Sequence, residues 1–144
     1  MRAVIQRVKY AKLSVDDKLI SEIGPGLMVM LGVTKTDDIN NVTRMAKKIS
    51  TIRLFARNDK LNDSVLDLNY SVLLISNFTL CTSENSGARP DFSLSADKEK
   101  AENLYLAVAN ELKNLGVDTK LGQFGGDMQI DCHLDGPVTI YKEI

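Results

Sequence analysis

Hydrophobic and polar positions alternate along residues 2–9, where Val4, Gln6 and Val8 interleave with Ile5 and Arg7, and the pattern predicts a strand. Residues 12–15 continue it, Asp16-Asp17 supplies turn chemistry, and 19–23 return as the second arm of an antiparallel hairpin. Gly24-Pro25-Gly26 breaks the chain before Leu27-Met28-Val29-Met30-Leu31, a continuous apolar run that reads as a central strand. The period then changes. Ile39, Val42, Met45, Ile49 and Ile52 recur at helical spacing behind Asp37 and Asp38, which suit a helix start. A short strand is expected at 53–56 and a loop at 58–64. Val72-Leu73-Leu74-Ile75 predicts a second core strand that runs directly into Ser76-Asn77-Phe78-Thr79-Leu80. After a loop over 81–95, Ser95 is placed to cap a second helix. That helix carries Ala101, Leu104, Val108, Leu112 and Leu115 on one face and ends at Gly116. Three β runs, 117–122, 127–133 and 137–143, finish the chain, with Gly136-Pro137 between the last two.

Seven or eight strands with two helices and tight early turns predict one α+β domain over residues 1–144. Its sheets would be mainly antiparallel, layered or barrel-like, with both helices packed on one side. A chain of 144 residues can bury one substantial core, and no apolar run reaches transmembrane length. The start, Met1 to Arg7, turns polar too early for a secretory signal. Cys81 and Cys132 lie far apart without metal-ligand spacing and read as reduced thiols, so a cytoplasmic protein without membrane association is expected. A net charge of −1 argues against broad gripping of a nucleic-acid backbone. Two basic stretches stand out, Arg2-Arg7-Lys9-Lys12 and Arg44-Lys47-Lys48-Arg53-Arg57. They read either as ordinary solvated charge or as a local patch for one end of a nucleic acid.

The familiar side-chain chemistries are missing. His133 is the single histidine and cannot complete a zinc shell with Asp131 and Asp135, so neither a metal nor a cofactor is expected. A Ser76–His133–Asp135 triad can be drawn, but it has no nucleophile elbow. Gly122, Gly125 and Gly126 do not open a helix after a strand, and Cys81 has no adjacent base. Two backbone-rich features remain. One is the polar cluster at 76–80, at the end of a core strand, where a rigid scaffold can present chemistry. The other is Gly136-Pro137. It reads either as a hairpin turn or as a stiff backbone wall, since proline fixes φ and glycine leaves carbonyls open to a ligand.

Ser76-Asn77-Phe78-Thr79-Leu80 together with Leu134-Asp135-Gly136-Pro137-Val138-Thr139 resembles the D-aminoacyl-tRNA deacylase family. That family carries Ser-Gln-Phe-Thr-Leu and a C-terminal Asn-x-Gly-Pro-Val-Thr. Ile5-Gln6-Arg7-Val8, Gly24 to Gly32, Gly87-x-Arg89-Pro90-x-Phe92 and Asp127-Met128-Gln129 extend the resemblance over the whole chain. It implies a homodimeric hydrolase of the ester between a D-amino acid and the 3′-terminal adenosine of tRNA, with glycyl-tRNA also accepted. It implies a cis Gly136-Pro137 bond inserted into the other subunit's site to exclude L-amino acids, with Arg7 supporting that loop across the interface. Catalysis would centre on Ser76, Asn77, Phe78 and Thr79. Phe124 and Met128 match positions near the pocket and could equally be core residues. Thr79 is either a nucleophile or an orienting group beside an attacking water. Asn77 stands where glutamine is usual and Leu134 where asparagine is usual, which bears on adenosine contact and on bracing of the loop. The alternatives are a related L-alanyl-tRNA proofreading deacylase and a non-catalytic RNA-end-binding module.

Overall fold

In the computed structural model, which describes residues 1–83 and 87–144, the first two β runs fuse into one strand, β1 (Arg2–Val15). Asp16 and Asp17 both take positive φ, 49° and 60°, the two-residue turn that matches strand twist, and β2 (Lys18–Ile23) returns alongside. β3 (Gly26–Gly32) pairs antiparallel with the first half of the same edge of β1. The long C-terminal strand, β8 (Gln129–Glu143), pairs antiparallel with the other edge.

Two helices separate the remaining strands of the main sheet. α1 (Ile39–Thr51) lies between β3 and β6 (Ser71–Ser76), and α3 (Lys98–Asn114) between β6 and β7 (Thr119–Leu121). Each such crossover returns the chain in the same direction, so β3, β6 and β7 pair in parallel. The α+β class holds, with a mixed six-stranded sheet whose order is β2-β1-β3-β6-β7 and with β8 on the far side of β1. Ser21 Oγ donates to the Leu121 carbonyl at 2.6 Å, drawing β2 toward β7 and nearly closing the sheet into a barrel.

Both helices cover one face, as expected. Val42, Met45 and Ile49 of α1 and Tyr105, Val108 and Leu112 of α3 share a core with Ile5, Val29, Val72 and Leu74. The opposite face holds a second core built from Val8, Leu13, Met28, Leu73 and Ile75. Alternate residues of β3 and β6 thus feed different cores, which is why those strands read as continuous apolar runs. β1 serves both. Its inward phase slips near residues 6–10, where its pairing with β8 is also irregular.

Local departures from the sequence reading have local causes. Asp38 caps α1, accepting from the amides of Asn40 and Asn41, whereas Asp37 is buried against the Met1 ammonium and the Thr34 amide. α3 is capped by Asp97 and not by Ser95, which instead bridges Thr34; a carboxylate sits three residues before Lys100 N, which Ser95 cannot reach in register. Within the expected 58–64 loop, Asn58 and Asp59 turn a hairpin between β4 (Phe55–Arg57) and β5 (Lys60–Asp63). Ser64 and Asp67 then form a capping box for the short α2 (Val65–Leu68). Part of the loop expected at 81–95, residues 84–86, lies outside the described residues.

The largest correction concerns the C-terminus. A hairpin at Gly136-Pro137 would reverse the chain, yet Gln129–Leu134 and Thr139–Glu143 pair with β1 in one continuous direction. Leu134 faces Val8 and Thr139 faces Gln6, so residues 135–138 stand opposite Arg7 alone. The Gly-Pro pair is therefore a bulge thrown out of an edge strand, the one interior place where a strand tolerates proline.

Candidate active site

A cleft of about 720 Å³ opens where β6 ends, bounded by the start of α3 and by the segment between β7 and β8. Ser76, Asn77, Phe78, Thr79, Phe124 and Met128 all line it, so six of the sequence-derived site residues converge. The convergence begins with β6, whose buried residues carry the chain to Ser76 before a 3-10 turn over Phe78–Leu80.

That turn is pinned from below. The Asn77 amide donates to the Leu31 carbonyl at 2.8 Å, which brings the turn onto the end of β3. Gly32 makes the approach possible: a Cβ there would stand 2.8 Å from Cys81 Sγ and 3.0 Å from the Asn77 carbonyl oxygen. Arg2 holds the exit of the turn, with Nη1 donating to the carbonyls of Leu80 (3.1 Å) and Thr82 (2.8 Å). Neither Gly32 nor Arg2 was singled out as a site residue from sequence. A glycine at the end of an apolar strand, followed in space by a motif forty residues away, carries no local signal.

Asn77 caps the turn with its own side chain. Its Oδ1 accepts from Thr79 N at 3.2 Å and from Thr79 Oγ1 at 2.5 Å, while Nδ2 faces Met30 Sδ at 3.6 Å. The shortened amide is thus occupied locally and does not extend across the cleft. Thr79 donates its hydroxyl proton to an amide oxygen, which is no base, and no histidine lines the cleft. Of the amides of residues 77–79, two are spent within the chain; among the described residues, only that of Phe78 has no acceptor. The Phe78 ring is 56% exposed and meets Phe92 edge-on at 5.1 Å, a lip on one side of the cleft. Phe124 packs against Tyr105 at 5.8 Å, and Met128 lies over Gly122, where a Cβ would come within 2.8 Å of its sulfur. Phe124 and Met128 therefore touch both the core and the cleft.

The drawn triad does not assemble. His133 sits on β8 against Tyr10, 6.1 Å between rings, and Asp135 is paired with Arg7; neither lines the cleft. Cys81 is buried behind the turn, and burial pushes its thiol up, away from reactivity. Among the described residues no group of side chains could hold a metal ion.

Gly136 and Pro137 are joined by a cis bond, are exposed, and do not line this chain's cleft. Gly136 has φ +121°, and a Cβ on it would lie 3.1 Å from Arg7 Nη2. The Arg7 guanidinium grips the bulge: Nε pairs with the Asp135 carboxylate at 3.0 Å and donates to its carbonyl at 3.2 Å, while Nη1 donates to the Leu54 carbonyl at 2.6 Å. Bracing thus comes from Arg7 through Asp135. Leu134, 41% exposed on the ladder, takes no part in those bonds.

Comparison with known proteins identifies the family and the fold. A family model described as D-Tyr-tRNA(Tyr) deacylase matches residues 4–143. A D-aminoacyl-tRNA deacylase of Fusobacterium nucleatum is 45% identical, over 97% of this chain and 93% of its own length. One of Idiomarina loihiensis is 41% identical over the full length of both. Among solved structures, a protein titled c-Myc DNA Unwinding Element Binding Protein superposes with a TM-score of 0.94 at 36% identity, covering 100% of this chain and 99% of that one. A structure titled as a probable eukaryotic D-amino acid tRNA deacylase shares the fold, with a TM-score of 0.84 at 17% identity, over 99% of this chain and 98% of that one.

Proposed function

The chain belongs to the D-Tyr-tRNA(Tyr) deacylase family and is a D-aminoacyl-tRNA deacylase, and we propose that it proofreads chirality with backbone groups alone. The observation that carries this reading is the economy of the 76–79 turn. Of its Asn77, Phe78 and Thr79 amides, only that of Phe78 has no acceptor among the described residues, and no side chain there is activated.

In this scheme water attacks the ester carbonyl, and the developing oxyanion is met by the Phe78 N–H. The bond to the ribose 3′ oxygen breaks, the adjacent 2′-hydroxyl relays the proton to it, and D-amino acid and tRNA leave. An aminoacyl ester is already activated, so one well-placed donor is a proportionate device. Thr79 and Asn77 hold each other and so hold the turn. Ser76, Phe124 and Met128 shape the cleft.

Selection is steric. The Gly136-Pro137 bulge lies outside its own cleft, so its wall serves the cleft of a second copy in a homodimer. A rigid backbone there rejects a side chain on the L face while touching nothing on the D face. Glycine, with no side chain to exclude, passes the same test.

The experiment compares D-tyrosyl-, L-tyrosyl- and glycyl-tRNA as substrates of the purified protein. D-tyrosyl- and glycyl-tRNA are expected to be hydrolysed and L-tyrosyl-tRNA spared. Sparing of glycyl-tRNA would sink selection by exclusion alone. Thr79→Ala should retain activity within about tenfold; a drop of about 10⁴-fold or more is the signature of a lost nucleophile and would overturn the water mechanism.

A further inference from the structure

Two of the side chains lining the cleft are charged, Lys98 and Asp127. Lys98 is the first residue of α3, and its stem passes over the turn at Gly125-Gly126: a Cβ on Gly125 would lie 4.0 Å from Lys98 Cε. Lys98 thus lines the cleft where α3 begins, with its Cε beside Gly125. Among the described residues it has no hydrogen bond and no ion pair, whereas Lys100, two residues on, is engaged by the Lys35 carbonyl at 2.6 Å. An exposed and unspent cation at the edge of a cleft is available to a ligand at little desolvation cost.

The substrate supplies a matching charge. If the ester is held at the 76–79 turn, the terminal adenosine follows, and the first formal negative charge outward is its 5′ phosphate. We infer that Lys98 contacts this phosphate, so that the enzyme tells an RNA end from a bare aminoacyl nucleoside. The inference rests on the proposed placement of the ester. Because Lys98 is exposed and Asp127 shares the lining, the gain is that of a screened surface pair, about twofold to fivefold in KM, with kcat unaffected.

The test uses the D-tyrosyl 3′-esters of adenosine and of adenosine 5′-monophosphate. Wild type should favour the phosphorylated ester by about twofold to fivefold in KM, Lys98→Ala should bring that ratio to about one, and Lys98→Arg should restore it. A preference that survives in Lys98→Ala, or none in wild type, overturns the assignment. So does an equal loss on both esters, which marks a merely structural role. If D-tyrosyl-tRNA is hydrolysed but neither ester is, the slope of log KM against log salt on the tRNA decides. It should fall by about 0.7 in Lys98→Ala, and an unchanged slope overturns the assignment. Wild type that hydrolyses none of the three refutes the placement of the ester, and the phosphate contact with it.

Discussion

Gly32 sits beneath the 3-10 turn and does not line the cleft, and replacing it with alanine adds a single methyl group where the turn is packed closely. That methyl carbon would lie 2.8 Å from Cys81 Sγ, 3.0 Å from the Asn77 carbonyl oxygen and 3.1 Å from Leu80 Cβ. Cys81 is fully buried and the Asn77 oxygen is backbone, so neither can swing aside as the end of a long side chain could. The turn must rise by a few tenths of an ångström, stretching the 2.8 Å bond from Asn77 N to the Leu31 carbonyl. Overpacking of this kind costs about 1–3 kcal/mol, which for a domain of this size lowers the melting temperature by about 4–12 °C. On the proposed oxyanion contact, the displaced Phe78 amide costs more than the stability change suggests. A 1 Å misplacement can cost about a hundredfold in rate, so a shift of a fraction of that predicts a loss of about tenfold. Single-turnover deacylation of D-tyrosyl-tRNA, measured well below the melting temperature, reads the chemical step apart from folding. Wild-type turnover in a protein of unchanged melting temperature would refute the argument. So would a rate loss that vanished once the folded fraction was normalised.

Two further predictions draw on other bonds. Arg7→Ala removes the ion pair to Asp135 and strands the Leu54 carbonyl, a cost of about 1–3 kcal/mol. On the proposed gate its D-over-L ratio should fall more than its rate on D-tyrosyl-tRNA, and an unchanged ratio would count against a braced wall. Asp38 has its carboxyl held below the usual range by the Asn40 amide first and the Asn41 amide next. Its contribution to stability is therefore present above the unfolded carboxylate pKa and lost as pH falls through the lower folded value. Asp38→Asn keeps the cap but not the charge, so its stability deficit in denaturant melts should narrow on acidification. A deficit that stays constant would refute the linkage.

How far the sequence reveals this molecule depends on whether a feature is local. The α1 face, from Val42 to Ile49, is periodic and capped by its own neighbours, and it folds as read. The apolar runs of β3 and β6 were recognisable as core strands, but their parallel pairing depends on what the intervening helices do with chain direction. β8 was obscured by its own proline. The two halves look like separate strands until β1, more than a hundred residues away, supplies a common ladder. The 76–80 cluster was legible as polar residues ending a core strand, but its chemistry, and Phe124 and Met128 with it, came through the family resemblance, since no spacing of carboxylates, histidine or thiol marks them. Gly32 and Lys98 could not be found that way. Gly32 matters through a close approach by segments distant in sequence, and the role proposed for Lys98 rests on a charge with no partner among the described residues.

The four-against-one mismatch at Arg7 has a further consequence. On either side of it β1 and β8 pair, with a second irregularity between Val8 and Tyr10, so the projecting length of residues 135–138 is set apart from the strand pairing. A residue added to or removed from the projection would leave Leu134 opposite Val8 and Thr139 opposite Gln6. Only the reach of the tip would alter. The fold therefore separates what must stay fixed, the ladder, from a part whose depth can be adjusted without renegotiating the core. On the proposed gate, bulge length is the natural dial for how deeply the wall reaches into the partner's cleft.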